Sequence, residues 1–150
     1  MFSLVIPMYN EAAILPDTLS VLNAYMQKNF NDYEILFSDD GSTDGSAELV
    51  ASCGYPHVRV ISYPENRGKG CAGMLAARGD VILFTDCDLA YGVEVIRMIY
   101  DAFSNCSFDV IIGSRNLGKD GYEGYSPLRK IASKVYIQTL CIVGGFSLSD

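Results

Sequence analysis

The sequence predicts an α/β fold with a mostly parallel central sheet and helices on both faces of that sheet. Apolar, strand-like runs alternate with helix-like windows along most of the 150 residues, and turn-forming residues separate them. The strand-like runs are apolar at successive positions, which is typical of strands that are buried on both faces in a parallel sheet.

The predicted elements follow one another in a regular order. The strands are FSLVIP (2–7), YEILFS (33–38), VRVISY (58–63), VILFT (81–85) and DVIIGS (109–114). A helix is predicted over 15–26, where leucine and methionine recur at spacings of three and four and Pro16 lies in the first turn. Further helices are expected at ELVASC (48–53), GCAGMLAARG (70–79) and 96–103.

Composition limits the classes of function. The length suits a single domain over 1–150, and the net charge is −7. Residues 1–110 hold 6 basic and 15 acidic side chains, which argues against nucleic acid as a partner because such binding depends on Lys and Arg. The five cysteines are odd in number and lack a CxxC pair, so we expect buried thiols in a reducing compartment.

The sequence printed contains no apolar run of the length that a membrane-spanning helix needs, about 18 residues or more. Its first residues, MFSLVIPMYNE, lack the basic start and cleavage site of a signal peptide. We therefore expect a cytoplasmic chain, or one that is peripheral on the cytoplasmic face of a membrane.

A polar segment follows each predicted strand. These segments are PMYNE (7–11), DDGSTDGS (39–46), PENRGKG (64–70), DCDLA (86–90) and GSRNLG (113–118). Ligands of parallel α/β sheets bind beyond the carboxyl ends of the strands, and five polar segments at one edge therefore predict a binding site.

Asp86 and Asp88 stand one residue apart where an apolar run ends, and a turn at Cys87 would let both face one ligand. Two unit charges about 5 Å apart repel by roughly 3 kcal/mol at an effective dielectric near 20. A hard divalent cation, Mg²⁺ or Mn²⁺, would offset that repulsion and is commonly held together with phosphate oxygens. The alternative is that Asp86 caps the next helix and Asp88 is only solvated.

The segment DDGSTDGS allows two interpretations. Asp44 is a suitable N-cap for the following helix, and Asp39, Ser42 and Thr43 are ordinary turn formers. Asp40 lies directly beyond the strand, where its carboxylate could accept hydrogen bonds from a nucleobase or a ribose hydroxyl.

Gly68, Gly70 and Gly73 fit the G-x-G-x-x-G pattern of dinucleotide-binding proteins. The residues PENR separate the strand from the first glycine, whereas in that motif the glycine follows the strand almost at once. An NAD-type oxidoreductase is therefore the weakest hypothesis. The alternative is that Arg67 and Lys69 reach an anionic ligand while the glycines allow close approach.

The last 40 residues carry more basic than acidic side chains. Arg129, Lys130 and Lys134 stand among apolar residues from Leu128 onward. This combination suits an interfacial helix at an anionic membrane or a lipid phosphate, and a core-packing helix with a solvated basic face would look similar.

Taken together, VIPMYNE, DDGSTDGS, ENRGKG, DCDLA, VIIGSR and SPLRKIASK resemble the family 2 glycosyltransferases of the GT-A fold. Within that family they are most similar to the dolichyl-phosphate mannose and glucose synthases. The resemblance implies a Rossmann-like three-layer sandwich, a UDP- or GDP-hexose donor and a lipid-phosphate acceptor. It also implies a role in cell envelope glycan synthesis.

The resemblance implies roles for individual residues. Those placed around the nucleotide sugar are Pro7, Tyr9, Asn10, Glu11, Ser38, Asp40, Arg67, Lys69, Asp86, Cys87 and Asp88. It assigns the metal and the diphosphate to Asp86 and Asp88 and favours Asp88 as the direct metal ligand. It assigns donor or acceptor phosphates to Arg115 and Arg129. The synthases often have Gln where this chain has Ala90, so water or a donor oxygen would replace that ligand.

The expected reaction is hexose transfer with inversion onto a polyprenyl phosphate. Asp88 and Arg115 would act at the leaving diphosphate, and Asp150 is the candidate base for a hydroxyl acceptor. Asp150 resembles the start of an acceptor-side segment, so the chain looks C-terminally truncated, with an incomplete acceptor portion. The alternative function is a nucleotide-sugar and metal-binding module without turnover.

Overall fold

The structure is a computed structural model that describes residues 1–64, 71–107, 109–113 and 138–139. The chain divides into two compact units, Met1–Ser107 and Phe108–Asp150. Within the described residues no helix is both long and apolar enough to cross a membrane.

The first unit confirms the predicted α/β class. Its strands are β1 (Phe2–Met8), β2 (Tyr33–Asp39), β3 (Val58–Ser62) and β4 (Val81–Phe84). Its helices are α1 (Leu15–Asn29), α2 (Ser46–Ala51), α3 (Cys71–Ala76) and α4 (Glu94–Ser104). The first four predicted strands all form, and each begins at the predicted residue.

The sheet has the strand order β3-β2-β1-β4, and every neighbouring pair is parallel. The chain runs outward from β1 through β2 to β3, then crosses back to place β4 on the other side of β1. The order therefore reverses between β1 and β4. In open parallel sheets, such a reversal opens a crevice at the carboxyl ends of the two strands, where ligands bind.

Both faces of the central strands are covered, as the continuous apolar runs predict. All seven residues of β1 and all seven of β2 are buried. On one face the core combines strand residues such as Leu4 and Ile6 with Leu15 and Leu22 of α1 and with Ile96 of α4.

The other face of the sheet is covered by α3, which approaches closely at Gly73. A Cβ atom built on Gly73 would lie 2.6 Å from Cγ1 of Val5 and 2.9 Å from Cβ of Ser38. The third glycine of the G-x-G-x-x-G pattern is thus explained by the packing of helix on sheet.

At the amino end of the strands, Glu34 joins β2 to three other segments. Its carboxylate accepts hydrogen bonds from Ser3 Oγ (2.6 Å), Arg59 Nε (2.7 Å) and the amide of Arg78 (2.7 Å). Burial opposes the ionisation of Glu34, but these hydrogen bonds outweigh it and lower the pKa of the carboxyl group.

The predicted fifth strand is wrong for residues 109–113, which contain no strand. Val110 and Ile112 are 72% and 75% exposed. An apolar run indicates that burial is favourable, but a strand also needs a hydrogen-bonded neighbour, which the run itself does not specify.

Candidate functional site

The candidate site lies at the carboxyl edge of the sheet, where the loops after β1, β2 and β4 meet. Pro7 in β1 and Ser38 in β2 are directly paired across the two strands and are both buried. Beyond them, Tyr9 is 44% exposed and the Asp40 amide donates to the carbonyl of Met8 at 3.0 Å. The structure thus brings together the predicted nucleotide-binding residues of the first two strands.

Two hydrogen bonds around Asn10 join the β1–α1 loop to the β2–α2 loop. The Asn10 amide donates to Ser42 Oγ, and the Thr43 amide donates to Asn10 Oδ1, both at 2.9 Å. Asn10 has a left-handed backbone, with φ of 56°, which asparagine tolerates better than most residues. Asn10 therefore organises the loop in addition to its predicted place near the ligand.

Two further hydrogen bonds join the same loops. The Glu11 amide donates to Ser46 Oγ and the Ala12 amide donates to Asp44 Oδ2, again at 2.9 Å. These bonds fix the backbone at Glu11, whose side chain is partly buried.

The sequence predicted Asp44 as the N-cap of α2, and this prediction is wrong. The N-cap is Gly45, with φ of 89°, and Asp44 Oδ1 accepts from the Ser46 amide at 3.0 Å and from Ser46 Oγ at 2.5 Å. Hydrogen bonds from Ser46, and then from Ala12, lower the pKa of Asp44. The left-handed backbone that glycine allows moves the cap position one residue later than the side-chain preference indicated.

The structural interpretation of DDGSTDGS is confirmed for several of its residues. Asp39 Oδ1 accepts from the Ser42 amide at 3.1 Å, and Ser42 and Asp44 bind the neighbouring loop. Asp40 is partly buried beside the end of β1, and its predicted ligand-binding role stays a prediction.

The acidic turn, residues 86–89, follows β4. Cys87 and Asp88 lie in a turn in which the Leu89 amide donates to the carbonyl of Asp86 at 3.4 Å. Both aspartates are exposed, whereas Cys87 is 4% exposed and points into the core. The predicted turn at Cys87 is confirmed.

The alternative in which Asp86 caps the next helix is wrong. Helix α4 begins only at Glu94, its N-cap is Val93, and no side chain caps it. The carboxylates of the acidic turn are therefore not used at the start of that helix.

The acidic turn contains a residue, Leu89, with an unfavourable backbone conformation. Leu89 has φ of 50°, and the Ala90 amide donates to Asp88 Oδ1 at 3.1 Å. Among the residues that the structure describes, Asn10 and Leu89 are the non-glycine residues with positive φ. They follow β1 and β4, the strands on either side of the reversal, and such conformations cluster at functional sites.

Negative charge accumulates around Cys87. Burial, followed by the charges of Glu11, Asp88 and Asp86, raises the pKa of the Cys87 thiol to about 12. The Glu11 carboxylate therefore acts electrostatically on the same thiol as the two aspartates. Cys87 is an unreactive thiol at neutral pH, because the thiolate is the reactive species.

The cysteine prediction holds only in part for the described thiols. Cys87 is buried, Cys53 is partly buried and Cys106 is exposed.

The donor groups of the acidic turn suit a hard cation. Carboxylate oxygens are preferred by Mg²⁺ and Mn²⁺, and Mg²⁺ is usually bound by one or two carboxylates together with phosphate oxygens and water. In the part of the chain that is described, no three His, Cys, Asp or Glu side chains are arranged to hold a metal on their own. Asp86 and Asp88 would thus need oxygens from a ligand to complete the coordination.

Several predicted site residues lie outside the described residues. They are Arg67, Lys69, Arg115, Arg129 and Asp150, together with Gly68 and Gly70 of the glycine pattern. Their roles stay predictions.

The sequence patterns did not identify one residue that contacts the acidic turn, Thr18. It lies on α1 with its side chain buried, and its hydroxyl donates to the carbonyl of Cys87 at 3.0 Å. A signal for it existed, since Thr18 falls on the apolar face formed by Leu15, Leu19 and Leu22, where a polar side chain needs a partner.

The parallel sheet, its reversal between β1 and β4 and the polar edge define an α/β protein with a candidate ligand site at the carboxyl ends of its strands. The model of glycosyl transferase family 2 matches residues 3–146. The chain therefore belongs to the family 2 glycosyltransferases, and its fold is GT-A.

Curated relatives are similar over nearly the whole chain. An undecaprenyl-phosphate 4-deoxy-4-formamido-L-arabinose transferase of Aeromonas hydrophila is 32% identical over 99% of this chain and 45% of its own length. A dolichyl-phosphate beta-glucosyltransferase of Dictyostelium discoideum is 32% identical over 95% of this chain and 50% of its own length. The chain spans about half the length of these relatives.

Two solved structures share the fold. S. aureus TarS 1-349 in complex with UDP superimposes with a TM-score of 0.51 and 26% identity, over 58% of this chain and 27% of that one. The mannosyltransferase PcManGT from Pyrobaculum calidifontis, in complex with GDP-Man and Mn²⁺, has a TM-score of 0.50 and 30% identity, over 58% of this chain and 27% of that one.

Proposed function

We propose that this chain binds a UDP- or GDP-hexose with Mg²⁺ or Mn²⁺ and belongs to an enzyme that transfers the hexose, with inversion, to a polyprenyl phosphate. One observation carries the proposal. In a family 2 glycosyltransferase fold, the acidic turn after β4 and the Tyr9–Glu11 loop after β1 flank the crevice where the strand order reverses.

The nucleoside would lie along the ends of β1 and β2. Pro7 and Ser38 form the floor of this region, because they are buried and paired, and Asp40 stands at its edge. The Asp40 carboxylate would accept hydrogen bonds from the base or the ribose, and the half-exposed Tyr9 ring would contact the base. Asn10 and Glu11 complete the loop, and Asn10 also maintains its shape.

The diphosphate would lie at the acidic turn. Asp86 and Asp88 would hold the divalent cation, which would supply positive charge for the departing nucleoside diphosphate. A cation held there would also offset the negative charge of Glu11, Asp86 and Asp88, which raises the pKa of the Cys87 thiol. Binding of metal and diphosphate should therefore be strongly cooperative.

Basic residues would contribute the remaining positive charge. Arg67, Lys69 and Arg115 are proposed to contact the donor phosphates, and Arg129 the phosphate of the acceptor. A polyprenyl phosphate is already ionised near neutral pH, so it needs positioning rather than a general base. Asp150 would act as a base only if the acceptor were a hydroxyl group.

The acceptor class is supported by the names of the relatives, which are transferases acting on undecaprenyl phosphate and dolichyl phosphate. We propose a peripheral site of action on the cytoplasmic face of a membrane, where such a phosphate would be presented. Because the chain spans about half the length of those relatives, a binding module without turnover is the second candidate.

Calorimetry with UDP, GDP and NAD, each with and without Mn²⁺, tests the donor site. We expect one of the two nucleoside diphosphates to bind only with Mn²⁺, and Asp88→Asn to weaken that binding by at least tenfold. Asp101→Asn is the matched control, because Asp101 is an acidic residue of α4 paired with Arg97. Equal binding by wild type and Asp88→Asn would contradict the metal site, and metal-independent NAD binding abolished by Gly70→Val would contradict the whole proposal.

Turnover separates the two candidates. Incubation of the chain with each sugar nucleotide, Mn²⁺ and a short polyprenyl phosphate should yield a glycosylated lipid if the chain is catalytically complete. Metal-dependent nucleotide binding without lipid product would support the binding module.

A further inference from the structure

The contact between Thr18 and the acidic turn connects two elements that are distant in sequence. Thr18 lies on α1 and is 6% exposed, and its Oγ1 donates to the carbonyl oxygen of Cys87 at 3.0 Å. A threonine within a helix usually turns its hydroxyl toward the carbonyl four residues earlier, or toward solvent. The Thr18 hydroxyl instead reaches across to the loop after β4.

We propose that Thr18 is a positioning residue for the acidic turn, holding the carbonyl between Asp86 and Asp88 so that both carboxylates stay on the rim of the crevice. The inference rests on the proposed function, because it concerns the same metal and diphosphate site. It assigns no contact between Thr18 and the ligand.

The geometry explains how one hydroxyl can orient a carboxylate. The carbonyl of Cys87 belongs to the peptide unit that continues into Asp88, and a peptide unit is planar. Fixing that carbonyl fixes the plane of the unit and therefore the direction in which the backbone enters Asp88. The Cys87 side chain is buried in the core cluster that also contains Leu15, Leu19 and Leu22 of α1. The turn is therefore held both by its main chain and by the side chain of Cys87.

The turn needs such a restraint for two reasons. Leu89 is in a left-handed conformation that leucine disfavours, so the local backbone by itself prefers another shape. Asp86 and Asp88 are also two like charges only one residue apart, and their Coulomb repulsion acts on the same turn. Both effects favour opening of the turn in the absence of a cation, and the hydrogen bond from α1 opposes them.

Thr18→Val and Thr18→Ser form the test pair. Valine keeps the shape and the branched Cβ but has no hydroxyl, whereas serine keeps the hydroxyl. Ser3→Ala is the matched control. It also removes a buried hydroxyl, which bonds Glu34 and the Gly79 amide at the opposite end of the sheet.

The first measurement needs no ligand. Hydrogen exchange of the Leu89 and Ala90 amides, which bond within the acidic turn, is followed in metal-free protein. We expect Thr18→Val to speed exchange at these two amides by about fivefold to tenfold, the effect of one net hydrogen bond. Thr18→Ser should exchange at the wild-type rate at these two amides. Ser3→Ala should not speed their exchange more than it speeds exchange at core amides elsewhere in the sheet.

The second measurement is Mn²⁺-dependent binding of UDP or GDP by calorimetry, using whichever nucleotide the wild type binds. Thr18→Val should weaken this binding by about fivefold to tenfold, while Thr18→Ser and Ser3→Ala bind as wild type does. Unchanged exchange at Leu89 and Ala90 in Thr18→Val would overturn the inference whether or not nucleotide binds. Absence of nucleotide binding by wild type would instead contradict the proposed function, and a wild-type affinity in Thr18→Val would overturn the inference alone.

Discussion

The Thr43 amide donates to Asn10 Oδ1 at 2.9 Å, so the loops after β1 and β2 form one connected rim. The hydrogen bond from the Asn10 amide to Ser42 Oγ runs in the opposite direction, and the amides of Glu11 and Ala12 add two more. Residues of the two loops that were predicted to hold the nucleoside are consequently positioned together rather than independently.

Replacement of Asn10 should therefore destabilise the fold in two separable ways. Asn10→Ala loses the hydrogen bond from Thr43, about 1 kcal/mol, and places alanine at φ of 56°, which costs about another 1 kcal/mol. Asn10→Gly loses the hydrogen bond but avoids the strain, because glycine accepts positive φ, and its greater freedom in the unfolded chain costs about 0.5 kcal/mol. Urea unfolding should show a lower midpoint for alanine than for glycine at an unchanged slope. A midpoint for alanine above that for glycine would show that the left-handed backbone costs less than the extra entropy that glycine loses on folding.

Gly73→Ala should destabilise the protein although alanine favours helices. The new Cβ would lie 2.6 Å from Cγ1 of Val5, and overpacking of this kind costs about 1–3 kcal/mol, more than the gain of about 1 kcal/mol in helix propensity. The measurement is the free energy of unfolding of Gly73→Ala in the wild-type and Val5→Ala backgrounds. The cost should be smaller by about 1 kcal/mol when Val5 is shortened, and strictly additive effects would contradict the close approach.

Glu34 should make folding stability depend on acidic pH. Its pKa is lower in the folded chain than in the unfolded chain, so its contribution is fully present above the ordinary glutamate pKa of about 4.3 and is lost as the pH falls through the folded-state value. The stability difference between wild type and Glu34→Gln should therefore shrink on acidification. Unfolding midpoints between pH 7 and pH 3 measure it, with the exposed Glu48→Gln as control. A difference that stays constant over this range would contradict the role of the ionised carboxylate.

Local pattern was sufficient to predict the elements of the first unit. The runs at 2–7 and 33–38 became β1 and β2, and the leucine spacing from Leu15 predicted α1. The turn at Cys87 was also predictable, since an apolar run ends there in two charged residues. These predictions succeed because the preference of side chains for burial and the preference of the backbone for a helix or strand both depend on residues that are close in sequence.

The same reasoning failed where a distant partner decides the structure. The run at 109–113 is as apolar as a buried strand, but it contains no strand. The cap of α2 is Gly45 rather than Asp44, and the Asp44 carboxylate instead accepts from the amide of Ala12, in a loop that is remote in sequence.

The sequence by itself determined the α/β class, the family and the identity of the polar residues that follow each strand, because these depend on local composition and on the order of motifs. Only the tertiary structure decided that α1 holds the acidic turn through Thr18 and that Asn10 joins two loops. These hydrogen bonds join residues 69 and 33 positions apart. Local sequence can mark Thr18 as a polar residue that needs a partner, but it does not name the partner, because the two meet only after the strands have paired.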